Sequence, residues 1–96
     1  MERTATKTVN SGEYTSLLVC YNGVRNNGYS SFTPSYSGGE KVMSIDDINS
    51  YSSLYGRCII QLFTISKNTD FTATLKAYKS GSSDYSSLRV SIYGIK

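Results

Sequence analysis

Ninety-six residues give room for one domain, spanning 1–96, that buries roughly 60% of the surface its unfolded chain exposes. Hydrophobic residues make up 39% of the chain and charged residues 18%, with nine tyrosines, so the composition is richer in aromatics and poorer in charge than that of disordered chains. Histidine is absent, which excludes Ser-His-Asp and Cys-His nucleophile pairs and histidine-containing zinc sites, and the net charge of +3 comes from ten basic residues scattered singly rather than gathered into the stripe a nucleic-acid binder presents.

Period-2 alternation and β-branched or aromatic residues dominate throughout, and no helical pattern persists for three turns. Residues 4–9 read as a polar, Thr-rich strand suited to a sheet edge. Residues 14–21 form a strand that is apolar on both faces. Asn22-Gly23 follows directly, and this pair is the strongest short hairpin signal, because both turn positions take positive φ. A reversal into Val24-Arg25 is therefore expected.

Residues 26–40 are the least regular stretch, holding Gly28, Pro34, Gly38 and Gly39 together with Tyr29, Phe32 and Tyr36. Pro34 confines any strand here to an edge, because it has no N–H to donate. Ser37-Gly38-Gly39-Glu40-Lys41 lacks the spacing and the preceding strand of a phosphate-binding loop. Residues 41–45 read as a short strand. Ser44-Ile45-Asp46-Asp47 resembles a helix start capped by Ser44, with at most a turn or two to follow.

Residues 55–65 carry Cys58, Ile60 and Leu62 on one face and Ile59, Phe63 and Ile65 on the other. A strand apolar on both faces must be covered on both. Either the segment 26–40 lies over Ile59, Phe63 and Ile65, or another chain does, and a patch left uncovered would be an association site. Residues 71–78 alternate cleanly, with Phe71, Ala73, Leu75 and Ala77 against Thr72, Thr74 and Lys76. After turn material at 79–84, residues 88–95 repeat the pattern, with Leu88, Val90 and Ile92 inward and Arg89, Ser91 and Tyr93 outward. The last three strands are expected to form an antiparallel meander, with Tyr78 opposite Arg89. Six or seven short strands with few helical signals point to an all-β fold, a small antiparallel β-sandwich of reduced jelly-roll type, with a small open barrel as the alternative.

Little chemistry is on offer. Asp46 and Asp47 are the only adjacent carboxylates, and in extended chain they face opposite ways, which suits neither a shared proton nor the six or more oxygens calcium requires. The reading is of a non-enzyme without cofactor or metal. Cys20 and Cys58 lie in apolar segments and read as reduced core thiols, open to bridging if neighbouring strands bring them face to face. Residues following Met1 are polar, and no apolar run approaches a membrane span, so synthesis in the cytoplasm without a signal peptide is expected. Tyrosine supplies contact area at low rotamer cost. Tyr29, Phe32 and Tyr36 in the long irregular segment, Ile59 and Phe63 on the doubly apolar strand, and Tyr78, Arg89 and Tyr93 on the expected hairpin are the candidate interface or ligand contacts.

The closing run Leu88-Arg89-Val90-Ser91-Ile92-Tyr93-Gly94-Ile95-Lys96, with the Ser/Thr/Tyr/Asn-rich composition, resembles the small β-sandwich domains of bacteriophage tail, fibre and decoration proteins. The resemblance covers about the last forty residues, is compositional, and brings no catalytic or binding residues with it. It implies a virion-associated structural or surface-binding module that self-associates or touches a host glycan. With no fibre shaft or coiled coil in view, an accessory or decoration subunit is the expectation. A carbohydrate-binding module using tyrosine stacking and a small phage-encoded inhibitor of a host protein are the competing readings.

Overall fold

A computed structural model describes residues 2–26, 32–51, 54–78 and 86–96. Among these residues the chain is seven strands and no helix: β1 (Glu2–Asn10), β2 (Ser16–Asn26), β3 (Phe32–Ser37), β4 (Glu40–Tyr51), β5 (Leu54–Thr64), β6 (Asp70–Tyr78) and β7 (Ser86–Ile95). They form a three-stranded sheet in the order β1-β6-β3 and a four-stranded sheet in the order β4-β5-β2-β7, with every pairing antiparallel. The two sheets pack face to face as a small sandwich.

Side-chain alternation decides the core. β6 sends Phe71, Ala73, Leu75 and Ala77 inward, all buried, as the two-residue period requires. From the four-stranded sheet Leu17, Val19 and Tyr21 of β2, Ile59 and Phe63 of β5 and Val90 of β7 meet them, while Leu88 and Ile92 pack at the margin. β3 is an edge strand containing Pro34, and β1 is the opposite edge of the same sheet, both as their compositions demanded. The loops after β1 and β5 are stitched together. Ser11, itself buried, donates its hydroxyl to the Ser66 carbonyl at 2.7 Å and accepts from the Thr69 amide at 2.9 Å. The Asn68 amide donates to the Gly12 carbonyl at 2.8 Å.

Three local expectations give way to tertiary pairing. Asn22-Gly23 makes no turn: β2 runs straight through it, with Gly23 opposite Arg57 on one side and Leu88 on the other. Gly23 does not have positive φ. It is glycine because the Phe32 ring lies against it, and a Cβ there would stand 2.6 Å from two ring carbons. The close approach of an aromatic ring thus accounts for a residue that reads as turn chemistry. Ser44–Asp47 is not a helix start but the middle of β4. Its alternation continues β5's ladder, which offers a hydrogen-bonding partner along the whole length, from Glu40 opposite Thr64 to Tyr51 opposite Leu54. The last three strands are not a meander either. β5 and β7 belong to the four-stranded sheet and β6 to the other, so Tyr78 lies opposite Glu2 and Arg89 opposite Asn22. The chain changes sheet at every connection except that from β4 to β5.

One core group leaves a pH signature. Tyr21 is fully buried, and its hydroxyl has no hydrogen-bond partner among the described residues. Burial, reinforced by the neighbouring Tyr36, pushes its pKa from 10 up to about 12. The folded state therefore holds this proton more tightly than the unfolded chain. The corresponding stability is complete below pH 10 and drains away as pH rises towards 12. Denaturant titrations at neutral and high pH should show Tyr21→Phe losing less stability than the native chain over that interval, by about 2 kcal/mol. Parallel alkaline losses in the two proteins would contradict this.

Candidate association surface

The sandwich has two unlike outer faces. On the three-stranded sheet the outward positions are Thr4, Thr6 and Thr8 of β1, Thr72, Thr74 and Lys76 of β6, and Thr33, Ser35 and Ser37 of β3. Their hydroxyls pair across strands, Thr6 with Thr74 at 3.1 Å and Thr8 with Thr72 at 3.0 Å, and the Asn10 amide donates to Asp70 at 2.9 Å. This face is dressed for water.

The four-stranded sheet is dressed for contact. The same alternation that buries the odd-numbered residues of β2 and β5 turns their even-numbered residues outward, and these are also apolar. The strand registers set them in rows. Met43, Leu62, Leu18 and Tyr93 cross the sheet side by side, followed by Ile45, Ile60, Cys20 and Ser91. Met43, Ile45 and Tyr93 are 47%, 52% and 55% exposed, and Leu18, Ile60 and Leu62 are half-buried only by their neighbours in the sheet. Ile95 and Val24 extend the patch at its two ends, and Asp47 and Arg89 lie on the rim beside Cys58 and Asn22. Contiguous apolar surface of this kind is uncommon on monomeric proteins, unlike isolated exposed hydrophobics.

β4 adds a second feature. It is the outermost strand of its sheet, twelve residues long, and it overhangs the three-stranded sheet. Residues on both of its faces are exposed, including Lys41, Ser44, Asp46 and Ile48 on the inward side. Among the described residues, one ion pair anchors the overhang from within. Arg57 donates from Nε and Nη2 to the Asp46 carboxylate at 2.9 and 2.5 Å, and from Nη1 to the Phe32 carbonyl, so one guanidinium ties β5 to both β4 and β3. The Arg57 hydrogen bonds, more than its charge alone, hold Asp46 below the usual carboxylate range.

The candidate residues from the sequence are dispersed by the fold. Ile59 and Phe63 are buried, at 2% and 0% exposure, and so present no surface. The doubly apolar strand does leave one face open, but it is the Cys58, Ile60 and Leu62 face. Segment 26–40 covers the other in part, for Tyr36 stacks edge-on against Phe63 with ring centroids 4.6 Å apart. Phe32 is buried against Gly23. Tyr93 and Arg89 do lie on the outer face and its rim. Tyr78 has its backbone in β6, and Tyr29 lies outside the described residues. Leu18, Met43 and Ile45 join Ile60 and Leu62 on the outer face; the apolar even positions of 55–65 signal the last two, while only the strand registers bring the first three beside them.

Cys20 and Cys58 are free thiols on this same outer face, one register step apart: Cys20 sits opposite Ile60 and Cys58 opposite Asn22. They are half-buried on the outer surface rather than in the core. Burial, with Cys58 nearby, raises the Cys20 pKa. A shallow cleft of about 460 Å³ between Gly38-Gly39-Glu40 and Thr64-Ile65-Ser66 contains a single carboxylate. Among the described residues no three of Cys, Asp and Glu converge on a point where a metal ion would sit. No protein-family model, curated protein or solved structure matches the chain, and the likeness to phage sandwich domains rests on composition alone.

Proposed function

We propose that this chain is a non-enzymatic assembly module that self-associates, a structural subunit of a larger particle such as a virion, acting through the outer face of its four-stranded sheet. The observation that carries the reading is the contrast between the two outer faces. One is a hydroxyl-lined surface; the other sets Met43, Ile45, Leu18, Ile60, Leu62 and Tyr93 in adjoining rows. Apolar surface on this scale is costly to leave in water and favourable to bury. The phage-like composition of the last forty residues supports a virion as the particle.

Protein contact is favoured over glycan stacking by where the rings lie. Tyr21 is in the core, Tyr36 is packed on Phe63 and Phe71, and Tyr14 lies over Gly94. Among the tyrosines whose side chains are described, Tyr93 alone stands on the apolar face. The chemistry also favours binding over catalysis, since the chain has no histidine. The test is sedimentation or multi-angle light scattering across micromolar concentrations. The native chain is expected to self-associate. Ile45→Lys with Tyr93→Lys, both at exposed positions, should weaken association at least 100-fold while leaving the unfolding midpoint nearly unchanged. A native chain that stays monomeric up to high concentration would sink the proposal.

A further inference from the structure

The free edge of β4 identifies how two copies meet. We infer that β4 pairs antiparallel with β4 of a second copy about a two-fold axis through Ser44, joining two four-stranded sheets into one of eight. This rests on the self-association reading above and adds a lateral contact to it: edge pairing brings Met43 and Ile45 together across the axis and leaves Leu18, Ile60, Leu62 and Tyr93 on the open face for contact with further copies.

Of the sheet edges, β4 is the one left open to pairing among the described residues. β3 contains Pro34, which removes a donor, and β1 and β7 run beside one another where the two sheets meet. β4 has no proline, and over Met43–Tyr51 it pairs with β5 without irregularity, the one register shift falling at its start, between Lys41 and Met43. An inward charge on an edge strand normally discourages pairing. Of the two inward charges here, Asp46 is already bound by Arg57 of its own chain, and Lys41 lies at the start of the strand before the register shift.

The register follows from faces and charges. In a continuous sheet, directly opposed residues lie on the same face, so the two-fold must pass through a residue and not between two. Centring on Asp46 or Asp47 would set like charges opposite each other. Centring on Ile45 would oppose Met43 with Asp47. Centring on Ser44 places Met43 opposite Ile45 of the second copy, and Ile45 opposite Met43. Both pairs lie on the outer face, where they continue the rows of Leu62 and Ile60 across the axis. Ser44 then meets its own counterpart through a small side chain, and Val42, at the irregularity between Lys41 and Met43, falls opposite Asp46 of the second copy, a carboxylate already held by Arg57. A self-complementary, isologous contact of this kind closes on itself as a dimer.

The test is a disulfide at the axis. Opposed Cα atoms in an antiparallel pair are about 4.5–5.5 Å apart, within the span a disulfide accepts. In a Cys20→Ala, Cys58→Ala background, Ser44→Cys should cross-link to covalent dimer under mild oxidation at micromolar protein, and Thr6→Cys on the hydroxyl-lined face should not. Amide exchange on the native chain supplies a readout free of substitutions: the amides of 43–45 should gain protection as protein concentration rises. Association without cross-linking at Ser44 and without protection of 43–45 would overturn the β4 contact while leaving the association surface standing. A strictly monomeric native chain would overturn both.

Discussion

Phe63→Ala is expected to cost about 3–5 kcal/mol, a large part of the roughly 5–15 kcal/mol by which a domain of this size is stable. Phe63 projects from β5 with no exposed surface, and it meets two rings from the opposite sheet. Phe71 of β6 lies 4.8 Å away between centroids at 59°, and Tyr36 of β3 lies 4.6 Å away at 64°. Tyr36 and Phe71 stack on each other at 6.5 Å and 14°. This trio is the main aromatic staple between the layers, and truncating its central ring removes apolar burial and both edge contacts while leaving a cavity between sheets that cannot collapse independently. Urea titration followed by far-ultraviolet circular dichroism would measure the loss. A cost below 1 kcal/mol would show that the sandwich does not depend on this contact.

Gly38→Ala should be nearly as damaging, at about 3 kcal/mol, through the backbone rather than the core. Gly38 turns the chain from β3 in one sheet to β4 in the other with φ of +103°. A Cβ there would come within 2.1 Å of the Asp70 carbonyl oxygen, a backbone atom already committed to β6 and unable to move aside. Strain and collision therefore add. Gly12→Ala is the matched control: φ is +55°, but nothing lies within 4 Å of the new Cβ, so only the conformational cost of about 1 kcal/mol is expected. Equal losses at the two positions would mean that the contact with Asp70 contributes nothing. Because Gly38 sets where β4 begins, its substitution should also weaken self-association more than Gly12→Ala does.

The amphipathic strands were legible from their side chains alone. β6 carries large or small apolar residues at every second position and threonine or lysine between, and it could be placed only with one face in the core. β7 reads the same way, and Pro34 and the threonines of β1 announced edge positions. The doubly apolar strands β2 and β5 were legible as strands but not as to which face was inside. Alternation fixes that odd and even residues part company; it does not say which set meets the other sheet. That choice was made by β3 and β6, whose Tyr36 and Phe71 close over Phe63, and it moved the open surface from Ile59 and Phe63 to Ile60 and Leu62.

By itself the sequence determined an all-β chain of six or seven short strands with no histidine chemistry, because strand periodicity and residue inventory are local properties; the packing of two sheets as a sandwich, against an open barrel, came from the structure. Tertiary structure alone decided three further things: that Asn22-Gly23 runs through a strand, that Ser44–Asp47 lies in an edge strand, and that consecutive strands, β4 and β5 excepted, fall in different sheets. In each case a long-range contact outweighs a local preference. The Phe32 ring uses the missing Cβ of Gly23, and β5 offers β4 a full ladder of hydrogen bonds where a helix cap offers only a few.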